Sequence, residues 1–291
     1  MDLRPPGDQD QVLARLRGPL AADDPRVLDI LRRHYLTPPS TRPYNLSTDP
    51  LYIKLKHYGS WKSIYKQIKQ LFGAQRGGFF IEAGALDGER LSNTLWLERY
   101  LGWTGLLVEP SPVNYRILQT KQRKAWTSHT CLSVEPFPKR EIMVTLGRKA
   151  RTESSVESMM YAPHGSSFLR GVTLDSHIYD NLLQLSEKSY SVVQCFPLLS
   201  YLLALNVSEV DLLSLDVQGA EKAVLRHVPW QTLRIRVLVV EVVHRESFDH
   251  DFADYMKSVN YTLVHFEGED YTFVRNDDPA LRNVDVVGIY V

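Results

Sequence analysis

From Phe79 onward, short apolar runs alternate with longer stretches whose apolar positions recur at helical spacing. That is the pattern of a sheet fed by crossover helices. Strands are predicted over Phe79–Glu82, Gly105–Glu109, Trp126–Cys131, Leu212–Asp216, Val237–Glu241 and Tyr261–Phe266. Helices are predicted between them, over Ser92–Tyr100, Val113–Gln122, Pro197–Leu205, Gly219–His227 and Asp249–Val259. Tyr271–Val274 and Val286–Val291 read as two last strands, antiparallel to the rest. Upstream, Trp61, Ile64, Tyr65, Ile68, Leu71 and Phe72 form one apolar stripe, which predicts a helix over Ser60–Phe72 that Gly73 stops. A shorter helix is expected from Pro25 to Tyr35, with Asp24 as its cap and Pro25 in its first turn.

Two segments stand apart. Half of the 16 prolines fall within the first 50 residues, so residues 1–54 read as an extended lead-in to a domain over 55–291. Residues 140–193 are polar, carry Gly147, Gly165 and Gly171 and contain the run TESSVESMM; they read as a hairpin insertion with a mobile loop. The expected fold class is α/β, with a mostly parallel central sheet, an antiparallel C-terminal strand and that hairpin insertion.

Composition narrows the function classes. Lys+Arg and Asp+Glu both number 34, so the net charge is zero and no nucleic-acid partner is expected. The longest apolar stretch, Phe196 to Leu205, is about half of the ~20 residues a membrane helix needs, so no transmembrane segment is expected in this chain. The N-terminus lacks the basic and apolar regions of a signal peptide. Cys131 and Cys195 are too few for a disulfide scaffold or a cysteine zinc site, and two reduced thiols in a cytoplasmic enzyme is one reading. Against it, N-x-[ST] sequons stand at Asn45, Asn206 and Asn260, where about one is expected by chance. If the domain is luminal, the two cysteines should be bonded.

The chemistry concentrates in FFIEAGALDGERLSNTLWLERYLGWTGLLVEPSP. A strand ends in Glu82, and a turn with Gly84 and Gly88 leads into a helix; the next strand ends in Glu109, 21 residues after Gly88. An acid at that place can bind ribose hydroxyls above the carboxyl ends of the strands. The turn is not the G-x-G-x-x-G of a dinucleotide site, and Glu82 and Asp87 would repel phosphates. They suit a ligand bearing an ammonium and a sulfonium, which S-adenosyl-L-methionine has. A glycine turn of this kind also serves merely to reverse a chain. In VDLLSLDVQGAEKAVL, Asp216 ends a strand and Glu221 lies in the next helix; Asp216 could handle an acceptor proton or cap that helix. Glu241 ends a further strand, and His244 after it is a general-base candidate or an ordinary loop histidine.

These blocks resemble the FkbM-type S-adenosyl-L-methionine-dependent methyltransferases, whose motifs FFIEAGALDG, GLLVEPSP and DVQGAE are similar to. HTCLSVEP, VQCFPLLSYLLAL and SLDVQGAEKAVL resemble its animal Star-like branch. The resemblance, over about residues 55–291, implies a Rossmann-like class I methyltransferase fold and methyl transfer to a hydroxyl-bearing acceptor. For the Star-like branch it implies the secretory-pathway lumen, endoplasmic reticulum or Golgi, and a role with membrane-protein cargo. Mapped by position, Glu82, Gly84, Asp87, Gly88 and Asn93 would hold the methionine part, Glu109 and Ser111 the ribose, and Leu132 and Ser133 the adenine. Asp216, Glu221, Glu241 and His244 would surround the acceptor; no metal is assigned. Gln218 departs from the family pattern, which has Glu there. Gly84→Val is expected to block the cofactor pocket with little harm to the sheet.

Overall fold

The computed structural model describes residues 20–50, 59–147, 167–170, 187–242 and 248–284. Its centre is an eight-stranded sheet in the order β1-β4-β3-β2-β9-β10-β12-β11. These strands are β1 (Leu36–Thr37), β2 (Phe79–Ala83), β3 (Thr104–Val108), β4 (Trp126–Ser128), β9 (Glu209–Leu215), β10 (Arg234–Glu241), β11 (Tyr261–Glu267) and β12 (Asp270–Arg275). The four pairings from β4 to β10 are parallel. The three outer pairings, β1 with β4, β10 with β12 and β12 with β11, are antiparallel. The sheet is therefore mixed, which corrects the expectation of a mostly parallel one. The antiparallel edge at β1 comes from the lead-in, whose prolines hid a two-residue strand.

Both faces of the central strands are apolar, as helices on both sides require. In β2, Ile81 and Ala83 join one cluster and Phe80 the other; in β10, Leu238 and Val240 face one side and Val237 and Val239 the opposite side. The first cluster receives α1 (Pro25–Ile30), α5 (Leu198–Leu205), α6 (Glu221–Arg226) and α7 (His250–Ser258) through Val27, Tyr201, Leu225 and Phe252. The second receives α2 (Gly59–Phe72) and α3 (Leu95–Leu101) through Ile64, Ile68 and Leu97. α4 (Pro112–Thr120) adds Leu118. Asp24 accepts from the Arg26 N–H as the expected N-cap of α1, and the chain then widens into a π-helical turn over Leu31–Tyr35.

The expected strand Trp126–Cys131 is two strands. β4 stops at Ser128, and β5 (Cys131–Leu132) joins a second sheet ordered β5-β8-β6-β7. There β6 (Lys139–Gly147) and β8 (Glu187–Phe196) make the antiparallel hairpin of the insertion, and β7 (Ser167–Leu169) pairs with β6. The predicted strand Val286–Val291 and the run TESSVESMM lie outside the described residues.

Cys131 and Cys195 face each other in register across β5 and β8 and form a disulfide, with a Cα separation of 4.3 Å. The bond closes a loop of 64 positions in sequence. In the chain-entropy account such a loop removes about 4 kcal/mol of freedom from the unfolded chain. The double variant Cys131→Ser/Cys195→Ser should therefore unfold with a stability lower by about that amount, read from urea titration against the wild type. Equal midpoints for the two proteins would remove the bond from the account of stability.

Candidate functional site

The strand order turns at β2. The chain runs from β2 outward through β3 to β4 and returns to β9 on the other side, so the crevice lies at the carboxyl ends of β2 and β9. Open sheets of this kind bind ligands there. Gly84, at φ +86°, begins the loop after β2, and a Cβ on it would lie 1.8 Å from the Asp216 carbonyl oxygen. Only glycine lets the two strand ends approach this closely. Gly84→Val would therefore drive against backbone and disturb the sheet, a correction to the expectation that the sheet would be spared.

A cleft of about 660 Å³ opens at this point, lined by Gly84, Leu86, Glu109, Leu132 and Asp216 among others. The second sheet forms its far wall with Met143, Phe168 and Leu169, and Cys131 lines it too. Glu109 is buried, and its carboxyl accepts from the Leu86 N–H at 2.8 Å, the Ser111 N–H at 2.8 Å and the Asn114 amide at 3.5 Å. A protonated carboxyl still has its O–H to donate beyond these three bonds, so it can meet a ligand hydroxyl. Burial raises its pKa to about 8, against the pull of those hydrogen bonds.

Other predicted cofactor residues build the loop rather than the wall. Glu82 is buried and accepts from the Ser92 hydroxyl at 2.8 Å, the Asn93 N–H at 2.7 Å and the Thr94 hydroxyl at 2.6 Å. Asp87 accepts from the Glu89 and Arg90 N–H groups at 2.9 and 2.7 Å. Gly88 takes φ +74°, and its carbonyl receives the Arg123 guanidinium. The Asn93 amide donates to the Ser214 hydroxyl at 3.0 Å, and Asn93 borders a separate hollow with Trp61, Tyr65 and Trp96. Ser111 caps α4, accepting from the Asn114 N–H at 3.4 Å, and the Ser133 hydroxyl donates to the Phe137 carbonyl at 2.8 Å.

At the carboxyl end of β9, Asp216 meets two partners. The Gln218 amide donates to it at 2.7 Å, with Gln218 held at φ +55°. The Glu241 carboxyl hydrogen-bonds it from the end of β10. Burial and the charges of Asp216 and Asp270 hold Glu241 well above the usual carboxylate range, so Glu241 keeps its proton and donates. Asp270 faces Glu241 in register across β12 and was missed in the sequence, where it looks like a turn residue. Glu221 lies behind, accepting from the Val217 N–H at 2.8 Å and the Gly219 N–H at 3.1 Å, its pKa raised by burial to about 8. His244 lies outside the described residues, and among those residues no group of side chains is arranged to hold a metal.

Sequence reasoning also missed Arg123. Its side chain is 1% exposed and pairs at 3.0 Å with Glu98, which is fully buried. It donates as well to Gly88 and to the Thr94 hydroxyl at 3.2 Å, and Thr94 in turn donates to Glu82. An isolated Arg in a polar stretch gives no sequence signal for such a role.

The cleft fits S-adenosyl-L-methionine. Leu132, Met143, Phe168 and Leu169 give it apolar walls that suit a purine ring, and the polar groups of Glu109, Asn114 and Asp216 converge on it. A family model described as the methyltransferase FkbM domain matches residues 82–263. No curated protein matches the chain significantly. Among solved structures, the chain is similar to a TehB-like SAM-dependent methyltransferase from Corynebacterium glutamicum, at 10% identity over 73% of this chain and 87% of that one, with a TM-score of 0.36. It is also similar to the METTL16 MTase domain, at 11% identity over 87% of this chain and 78% of that one, with a TM-score of 0.36. Both likenesses are loose, and the family match carries the assignment.

Two predictions follow from this geometry. Removing one partner of a buried ion pair leaves the other charge uncompensated, at a cost of about 3–5 kcal/mol. Arg123→Leu should lose about that much stability in urea titration, whereas the exposed Arg33→Leu, whose partner Asp29 is also half exposed, should change little. An Arg123→Leu protein as stable as the wild type would show that the network does not hold the loop.

The second concerns pH. Glu109 and Glu221 bind protons more tightly folded, near pKa 8, than in the unfolded chain, near 4.5. Their contribution is complete below the unfolded value and is lost as pH rises through the folded one. His129, lowered by burial, works in the opposite sense below its ordinary pKa of about 6.5, so the informative window lies above it. From these two groups the urea midpoint should fall between about pH 6.5 and 8 and flatten above that. A rising profile would contradict the protonated carboxyls.

Proposed function

Because the chain belongs to the methyltransferase FkbM domain family and uses S-adenosyl-L-methionine as its cofactor, we propose that it methylates the hydroxyl oxygen of an acceptor, in the lumen of the secretory pathway. Bound in the cleft, the cofactor supplies a methyl group on a positively charged sulfur. Glu109 would hold the ribose end, and the Gly84 turn would admit the methionine end against backbone. Such a transfer needs alignment and the removal of one proton.

The observation that carries the proposal is the placement of Asp216. It lines the cleft, and its two neighbours both donate to it, Gln218 as an amide and Glu241 as a protonated acid. Asp216 therefore has both neighbours as donors while it lines the cleft, a placement that would let it orient an acceptor hydroxyl and accept its proton. Glu221 fixes the turn that carries Gln218 by holding the Gly219 N–H. The Cys131–Cys195 bond supports the lumen, since disulfides persist in oxidising compartments. It also favours a second reading, a Star-like luminal domain that binds membrane-protein cargo without catalysis, as does the amide at Gln218.

Asp216→Asn separates these readings. Asn keeps the size and can still accept from Gln218, with its amide turned toward Glu241. If Asp216 takes the acceptor's proton, turnover should fall by about 10²-fold or more while cofactor affinity, measured by calorimetry, changes little. Equal turnover in both forms would end this role. Wild-type protein that binds the cofactor but consumes none, with any hydroxyl acceptor offered, would favour the cargo reading.

A further inference from the structure

The three sequons are not equivalent in the fold. At Asn45 the side-chain amide donates to the Thr120 carbonyl at 3.1 Å, and the Ser47 hydroxyl accepts from the Asp49 N–H at 3.1 Å. At Asn260 the side-chain oxygen accepts from the Asn276 amide at 3.0 Å, and the Thr262 hydroxyl donates to the Asn276 oxygen at 2.7 Å. Both of these sites use their asparagine and their hydroxyl to tie chain segments together. Asn206 and Ser208 do not: both are exposed, and among the described residues neither side chain makes a hydrogen bond.

Nor does the helix end require the Asn206 side chain. Asn206 is the left-handed C-cap of α5, and its backbone N–H together with that of Val207 already serves the last turn. Arg32 donates to the Ala204 carbonyl at 2.7 Å and to the Leu203 carbonyl at 2.9 Å. The freed carbonyls of the terminus are thus met from elsewhere. Beside Asn206 runs an open groove floored by Leu199, Leu202 and Leu203, with Thr232 and Asp23 on its rim. Leu203 is 38% exposed, one of the few large apolar side chains left so open.

We infer that Asn206 carries an N-linked glycan whose first sugar lies along this leucine groove. The inference rests on the luminal reading above. In the attachment, a bond forms between the Asn206 side-chain nitrogen and the anomeric carbon of an oligosaccharide carried on a polyprenyl pyrophosphate. The bond from that carbon to the pyrophosphate breaks, the lipid pyrophosphate leaves with the electron pair, and the amide gives up one proton to solvent. Transfer acts on an unfolded sequon, so all three sites are eligible as sequence. In the folded chain Asn206 is the sequon whose asparagine and hydroxyl are both exposed and make no hydrogen bond among the described residues, so a glycan there displaces no existing contact. There the acetyl methyl and ring carbons of the sugar cover Leu199 and Leu203, and its hydroxyls reach Thr232 and Asp23.

The test uses protein isolated from its own cells. Peptide N-glycosidase treatment should convert Asn206 to Asp, as read by peptide mass mapping. Alkylation of free thiols before reduction reports the compartment separately, since Cys131 and Cys195 should resist it. In cells expressing variants, Asn206→Gln and Ser208→Ala should each abolish the glycosidase-sensitive gel shift, and Ser208→Thr should retain it. Loss in Ser208→Ala, which leaves the helix cap intact, excludes a folding effect at Asn206. Bonded cysteines with a bare Asn206, or with the glycan at Asn45 or Asn260 alone, would overturn this inference and leave the luminal reading standing. Alkylated cysteines and no glycan would overturn both.

Discussion

A single buried cation organises the loop on which the cleft depends. Arg123 sits between Glu98 on α3 and the Gly88 carbonyl, and through Thr94 it reaches Glu82 at the end of β2. Two carboxyls and one guanidinium, all withdrawn from water, would be costly if any hydrogen bond were missing. Here the loop itself supplies the missing donors, from Ser92, Asn93 and Thr94 to Glu82. The loop can close only in the conformation that satisfies them, which fixes where Gly84 and Leu86 enter the cleft. The lead-in is tied to the same cluster, because the Ser40 N–H donates to the Arg123 carbonyl and the Ser47 N–H to Glu89. Glu89 is itself paired with Lys121 at 2.7 Å. A proline-rich segment that looked peripheral thus braces the cofactor loop.

At the other side of the cleft the problem is an excess of negative charge. Asp216, Asp270 and Glu221 lie near enough to raise the proton affinity of Glu241, and Asp216 near enough to raise that of Glu221. Like charges in a poorly solvated place are relieved by holding protons or by gaining donors. Both devices are present: Glu241 keeps a proton, and the Gln218 amide donates to Asp216. A carboxyl at position 218 would have to be protonated to do the same. The amide instead gives Asp216, which lines the cleft, a donor without adding a further acid to the cluster.

The alternation of apolar and polar stretches made the strands and helices of the core readable, since period 2 and period 3.6 follow directly from the backbone. The place of the cleft was readable too, because Gly84 and Glu109 each mark a strand end. What escaped was whatever depends on contacts between distant segments. β4 and β5 form one apolar run, and only the second sheet shows that Cys131 leaves the first. Glu82 and Asn93 looked like ligand residues because of their position near the turn, yet their side chains are committed to the loop and to Ser214. Asp270 and Arg123 carry no local pattern at all, and their parts appear only with strand register and burial.

The second sheet gives the disulfide a meaning beyond stability. Cys131 belongs to the strand whose end lines the cleft, and Cys195 to β8, the strand that carries the insertion hairpin. β8 pairs with β6, and β6 with β7, so Met143, Phe168 and Leu169 are positioned through this short chain of ladders. β5 contributes only two paired residues, too few to hold a sheet in place by hydrogen bonds alone. The covalent link reinforces that short ladder within the second sheet, fastening β8 and its hairpin to β5, the strand that follows β4 directly in the chain. The apolar wall of the cleft formed by Met143, Phe168 and Leu169 is therefore fastened through a bond whose loss would loosen the whole hairpin from β5.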